Sequence, residues 1–380
     1  VARRLAFAGV AVVAVFVLLE GVLRVLPEPA SPTITLPFGS LPREIQPDPR
    51  LGWALRPGVR PANDERRRWA ARLRVSLGPE PERPISEDGH RDEPLAALRG
   101  GPLVLAVGDS SVFGEGVAWD ETFAQVLEGR LRAGGHPTAD VLNLGVPGHS
   151  TWQALESART VAHLGPAVVV LYVNSDRAST PGGPDGAWFQ RPGRRLAGVL
   201  GGLRSFRWLQ ALLDPVTRPG VDRGGRVRVP LSDLARALFA WQDALTTGEL
   251  TGVHMVAVAP GLASSVGGRF DPALAAEAPR TLREAAVQRS TDHGGDPVAH
   301  HAALSLFAED HGWDFLGGAD LMRRRCAEAD CTGAGFPYVD ELHPSPQGHR
   351  WLAAALEPVV APALKARPGA RGADPRGSGG

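Results

Sequence analysis

Four short blocks of the chain hold the residue types that acyl transfer needs. Gly108-Asp109-Ser110-Ser111 follows the apolar run Leu103–Val107 and sets a serine at a strand-to-helix turn. The start of a helix there favours developing negative charge. Asn143-Leu144-Gly145-Val146-Pro147-Gly148 follows a second apolar run. A glycine such as Gly145 lets a backbone N–H come close to a ligand. Tyr172-Val173-Asn174-Ser175-Asp176 follows a third run, and an asparagine amide at such a position can donate to an oxyanion. Asp340-Glu341-Leu342-His343 precedes the last helical segment. Its spacing lets Asp340 orient the His343 imidazole while His343 faces the serine. The set is complete: a nucleophile (Ser110), a general base (His343), an orienting carboxylate (Asp340) and donors for an oxyanion. Each block alone reads as an ordinary turn or cap. Four in chain order, each at a strand end or before a helix, are hard to explain as turns. Ser111 stands beside Ser110, and alternation at the turn leaves one of the two facing away.

The elements that must position these blocks alternate. Strands are expected at Leu103–Val107, Asp140–Leu144, Ala167–Val173, Val253–Ala259 and Asp314–Leu316. Helices are expected at Thr122–Leu131, Ser150–His163, Leu231–Thr246, Pro297–Asp310 and Pro346–Ala355. Such alternation predicts an α/β domain over 101–365, with a parallel sheet and helices on both faces. Ligands of these sheets gather at the carboxyl ends of the strands. Residues 177–230 read as an insertion and 366–380 as a disordered polar tail. Residues 28–100, rich in proline, read as an extended stalk or irregular cap.

The four blocks resemble those of the SGNH (GDSL-type) hydrolases, over roughly 101–360. The resemblance implies a flavodoxin-like three-layer α/β sandwich and a Ser-His-Asp triad. Ser110 matches the nucleophile, Asp340 and His343 the paired final block. The N–H groups of Ser110 and Gly145 and the amide of Asn174 match the oxyanion donors. That family's third block usually reads Gly-x-Asn-Asp, whereas here the acid falls one place later, at Asp176. Asp48-Pro49-Arg50-Leu51-Gly52-Trp53 and Glu87-Asp88-Gly89-His90-Arg91 resemble the lead-in of membrane-anchored bacterial members. The implied activity is hydrolysis of acyl esters, acetyl esters included, with small esters or envelope glycans as substrates and no cofactor. The alternatives are an O-acyltransferase acting on an envelope or secreted polysaccharide, and a non-catalytic glycan-binding module.

Arg3 and Arg4 precede an uncharged run of 15 residues, Leu5–Leu19, which reaches 22 when extended to Leu26. That length predicts a transmembrane anchor over 1–27 or an uncleaved signal. The positive end places the rest outside the cytoplasm, on the inner membrane. Glu20 and Arg24 are spaced to pair on a helix. The 380 residues carry 41 basic and 41 acidic side chains, so no basic excess points to nucleic acid. Gly-x-Ser-x-Gly and His-Glu-x-x-His are absent from the sequence. His293, Asp296, His300 and His301 are near in sequence, but adjacent histidines on a helix point to different faces, so no metal is expected. Cys326 and Cys331 form either a disulfide that restrains the loop before Asp340 or two buried thiols. Trp188, Phe189, Phe206 and Trp208 form either a local core or the lining of an acyl or sugar site.

Overall fold

The structure, a computed structural model, describes residues 2–26, 42–48, 50–61, 83–177, 226–263, 297–340 and 342–365, with positions 68, 70–71, 179–180, 185–189, 203, 205 and 208 between them. A first helix, α1, spans Ala2–Val25. A two-stranded antiparallel hairpin follows, β1 (Ile45–Asp48) and β2 (Gly52–Leu55). The central sheet has five strands: β3 (Leu103–Gly108), β4 (Asp140–Gly145), β5 (Val168–Tyr172), β8 (His254–Ala259) and β9 (Asp314–Gly317). A short antiparallel pair, β6 (Ser179–Thr180) and β7 (Arg226–Val227), brackets the insertion. The sheet order is β4-β3-β5-β8-β9, with every pairing parallel. In chain order that is second, first, third, fourth, fifth, the flavodoxin-like arrangement, whose topological switch lies between β3 and β5.

Apolar alternation along the strands explains the three layers. Val104 and Ala106 of β3 face one core, shared with α3 (Phe123–Ala133), α8 (Gly318–Glu328) and α9 (Pro346–Lys365). Leu103, Leu105 and Val107 face the other, shared with α4 (Thr151–Val161), α6 (Leu231–Thr246) and α7 (Pro297–His311). A sheet covered on both faces needs apolar side chains at successive positions, which is why β3 is a continuous apolar run. Two shorter helices are α2 (Ser110–Phe113) and α5 (Asp185–Phe189).

The last helix runs ten residues past its expected end at Ala355, to Lys365, through Pro358 and Pro362. Each proline removes an internal hydrogen bond. Burial of Leu356, Val360 and Leu364 in the first core offsets that loss, each such side chain contributing about 1.5–3 kcal/mol. The described part of 28–100 is packed rather than extended. Ile45, Trp53, Leu55 and Ile85 form a third cluster with Phe113 and Val146, against the site-bearing edge of the sheet.

On α1, Glu20 is buried: it accepts from Arg24 at 3.3 Å and from the N–H and hydroxyl of Ser205 at 3.0 and 2.9 Å. The side chains of α1 are described from Val13 onward. Among the described residues no helix is long and apolar enough to cross a membrane.

Candidate active site

Register brings the first three blocks level. Gly108 pairs with Gly145 on one side and with Tyr172 on the other. A Cβ at Gly108 would sit 1.8 Å from the Tyr172 carbonyl oxygen, so the residue before the Asp109-Ser110 turn must be glycine. Asp109 then caps α2. Its Oδ1 accepts from the Ser111 N–H at 2.9 Å, and its Oδ2 accepts from the N–H groups of Asn174 and Ser175, both at 2.7 Å, and from the Ser175 hydroxyl at 2.8 Å. The fully buried carboxylate thus fastens the third block to the first. Hydrogen bonds to a charged acceptor are roughly twice as strong as neutral ones.

Ser110 is the first residue of α2, a single turn. Carbonyls at the far end of that turn and just beyond it meet buried Arg91. Its Nη1 donates to Phe113 O at 2.8 Å and Gly114 O at 2.6 Å, and its Nη2 to Val117 O at 2.8 Å. A guanidinium suits these oxygens in charge as well as in geometry. Ser111 is buried, whereas Ser110 is half-buried and reaches the fourth block.

There, His343 Nε2 lies 2.8 Å from Ser110 Oγ, across 233 positions of sequence. His343 Nδ1 lies 2.7 Å from Asp340 Oδ2. With Nδ1–H donating to the carboxylate, Nε2 is left to accept the serine proton. Asp340 Oδ1 accepts from the backbone N–H groups of Leu342 and His343 at 2.7 and 2.8 Å, so the carboxylate is held by its own loop. That loop is closed by an antiparallel bridge between Tyr338 and Pro344 and by Val339 N–H donating to His343 O at 2.9 Å. Upstream, Cys326 of α8 and Cys331 are joined in a disulfide.

Burial works against an imidazolium at His343, but the Asp340 charge and hydrogen bond outweigh it. With smaller help from Glu115 and Asp109, they push its pKa up to about 9. Burial likewise works against the Asp340 carboxylate, and the His343 charge and hydrogen bonds outweigh it, holding Asp340 below its ordinary value.

The oxyanion side departs from expectation at one residue. Gly145 N–H donates to Asn143 Oδ1 at 2.9 Å, so it is already committed. Gly145 is glycine for space: a Cβ there would lie 2.1 Å from Phe113 N, in the backbone of α2. The same block offers another donor. Val146 N–H goes to Gly108 O and His149 N–H to Val146 O, and Pro147 has no N–H. Gly148 N–H, in a turn with φ of 76°, has no acceptor among the described residues. The N–H of Ser110 has none among them either. Asn174 is buried, its backbone N–H fixed by Asp109. Asp176, the displaced acid of the third block, accepts from Thr151 N–H at 2.8 Å and Thr151 Oγ at 2.5 Å, which ties the start of α4 to the end of β5. Burial raises the Asp176 pKa.

Sequence reasoning gave no role to Asp109, Arg91 or Gly148. For Gly148 the signal was present: a glycine after proline in a tight turn suits a positive φ and close approach. Of the histidine group, His293 and Asp296 lie outside the described residues, and His300 Nε2 meets Val229 O at 2.8 Å. Among the described residues no group of three or more His, Cys, Asp or Glu could hold a metal. Phe189 is core, stacked on Trp152 with centroids 6.2 Å apart. Trp208 is half-buried, and the side chains of Trp188 and Phe206 lie outside the described residues.

No protein-family model and no curated protein matches the chain. Among solved structures it is similar to the lipase/acylhydrolase from Enterococcus faecalis, with 14% identity over 69% of this chain and 96% of that one and a TM-score of 0.39. It is similar to an acetylxylan esterase from Geobacillus stearothermophilus, in a catalytic variant, with 16% identity over 69% and 94% and a TM-score of 0.37. It is also similar to the aryl esterase of M. smegmatis, with 16% identity over 69% and 99% and a TM-score of 0.36.

Proposed function

We propose that this protein is a serine ester hydrolase working through an acyl-enzyme. One observation carries the reading. A half-buried serine hydroxyl, an imidazole and a carboxylate form an unbroken hydrogen-bonded line, 2.8 Å and then 2.7 Å, assembled from segments 233 positions apart. Ser110 Oγ gives its proton to His343 Nε2 as it bonds to the ester carbonyl carbon. The carbonyl electrons move to oxygen, which faces the N–H groups of Ser110 and Gly148 and the Asn174 amide. The C–O bond to the leaving alcohol then breaks, and His343 returns the proton to that alkoxide. Water repeats the sequence: His343 takes its proton, hydroxide adds to the acyl carbon, and Ser110 leaves with the proton restored. Asp340 holds the imidazole in the required tautomer throughout.

The test is hydrolysis of p-nitrophenyl acetate by the full chain and by Ser110→Ala. Turnover is expected only in the unaltered protein. Equal turnover in both rejects the mechanism.

Residues 1–27 are further read as an anchor that keeps the catalytic domain outside the cytoplasm. Support comes from the run of Leu5–Leu19 behind Arg3 and Arg4, and from Val13, Val15, Phe16, Val17, Leu18 and Leu19, which are exposed on successive faces of α1. Resistance to carbonate extraction, with protease access from the outer side only, is the expected result. Release by carbonate contradicts it.

A further inference from the structure

We propose that Trp53, on the hairpin ahead of the catalytic domain, is a positioning residue for the oxyanion turn, fixing the direction of the Gly148 N–H; this rests on the acyl-transfer reading above. The indole Nε1–H of Trp53 donates to Pro147 O at 2.9 Å, across 94 positions of sequence. Pro147 O and the Gly148 N–H belong to one peptide unit. In a trans peptide these two groups point in opposite directions. Pulling the carbonyl toward the hairpin therefore turns the N–H away from it. The loop returns the contact, since His149 Nε2 lies 3.0 Å from Trp53 O.

The next peptide unit is fixed from another side. Arg228, just beyond β7, donates through Nη1 to Gly148 O. Arg228 is wholly buried, paired with Asp185 at 2.8 Å, and its guanidinium lies 5.0 Å from the Trp53 ring centroid. Gly148 thus sits between two clamped peptide planes at a positive φ. Glycine turns can rotate a peptide plane at little steric cost, because glycine accepts both signs of φ. Without the Trp53 donor, the 147–148 unit can turn its N–H out of the site. The hairpin and Arg228 would then be parts of the catalytic apparatus.

The experiment compares the full chain with Trp53→Phe and with 3-benzothienylalanine at position 53. The second keeps the indole shape and replaces N–H by sulfur. Both are expected to lower kcat about 10–100-fold, less than the ~10²–10³ typical of losing a donor outright. KM and the acid limb of the pH profile should stay in place. Affinity for a boronic-acid mimic of the tetrahedral intermediate should fall by the same factor as kcat. Full kcat and full boronate affinity in the benzothienyl protein overturn the inference, whatever happens to Trp53→Phe. In that case a dead Ser110→Ala leaves the hydrolase reading standing, whereas an active Ser110→Ala removes that reading itself.

Discussion

The two halves of the site are built differently. The proton-relay half is local: Asp340 and His343 are three positions apart, and the carboxylate is held by backbone N–H groups of its own loop. The half proposed to bind the oxyanion is held from a distance. Its turn is gripped by Trp53 from 94 positions upstream and by Arg228 from 80 downstream, and Asn174 is fastened by Asp109 across 65. A charged pair needs little outside support, because attraction and a short loop already define its geometry. A backbone donor has no side chain to steer, so its direction must be imposed by whatever binds the neighbouring carbonyls.

Asp340→Asn attacks the local half and should have the largest effect, lowering kcat by roughly 10⁴ through loss of the tautomer and orientation of the imidazole. It should also move the pH profile. His343 must be neutral to accept the Ser110 proton, so with its pKa at about 9 activity falls as pH drops below that value. Removing the carboxylate removes the main cause of the upward shift, so the limb moves toward lower pH. Stability runs the other way. A histidine pKa raised on folding contributes stability that is fully present below its ordinary value of 6.5 and is lost as pH rises through about 9. Parallel pH–rate and pH–melting curves check both signs.

Asn174→Ala attacks the distant half and should cost about 10²–10³ in kcat, leaving that acid limb unmoved. A shifted limb would mean that the two halves are not separable. Gly145→Ala tests how closely the second block packs on α2. Its Cβ would meet the α2 backbone at 2.1 Å, so the expected result is a destabilisation of about 1–3 kcal/mol, seen in thermal unfolding. Unchanged stability would contradict the reading that Gly145 is glycine for space. The smallest effect belongs to the bridge upstream of the Asp340–His343 loop. Replacing Cys326 and Cys331 by serine removes a short cross-link, worth roughly 2 kcal/mol by the chain-entropy model, and Tm should fall by a few degrees with kcat nearly intact.

The same division decided what could be read from the sequence. β3 and β5 were legible because burial on both faces demands unbroken apolar runs. The convergence of Ser110, His343 and Asp340 was legible because a hydroxyl, an imidazole and a carboxylate carry their chemistry in their side chains. The commitment of the Gly145 N–H was not. Gly145 and Gly148 look alike in sequence, and only the bond from Gly145 N–H to Asn143 Oδ1 tells them apart. Trp53 and Arg228 were hidden for a related reason. Their contribution is one hydrogen bond each to a carbonyl of the turn, and a carbonyl leaves no trace in residue identity. The continuation of α9 through Pro358 and Pro362 was missed because local propensity stops at proline, whereas the helix is held by burial of residues beyond it.

The central claim is that Ser110 becomes covalently acylated. Its most direct test is intact-mass and peptide mapping of the full chain after exposure to a fluorophosphonate ester. The account predicts one adduct per chain, mapped to Ser110, absent in Ser110→Ala and much slower to form in His343→Ala. A folded protein that stays unlabelled at Ser110, or that labels equally fast without His343, would contradict it.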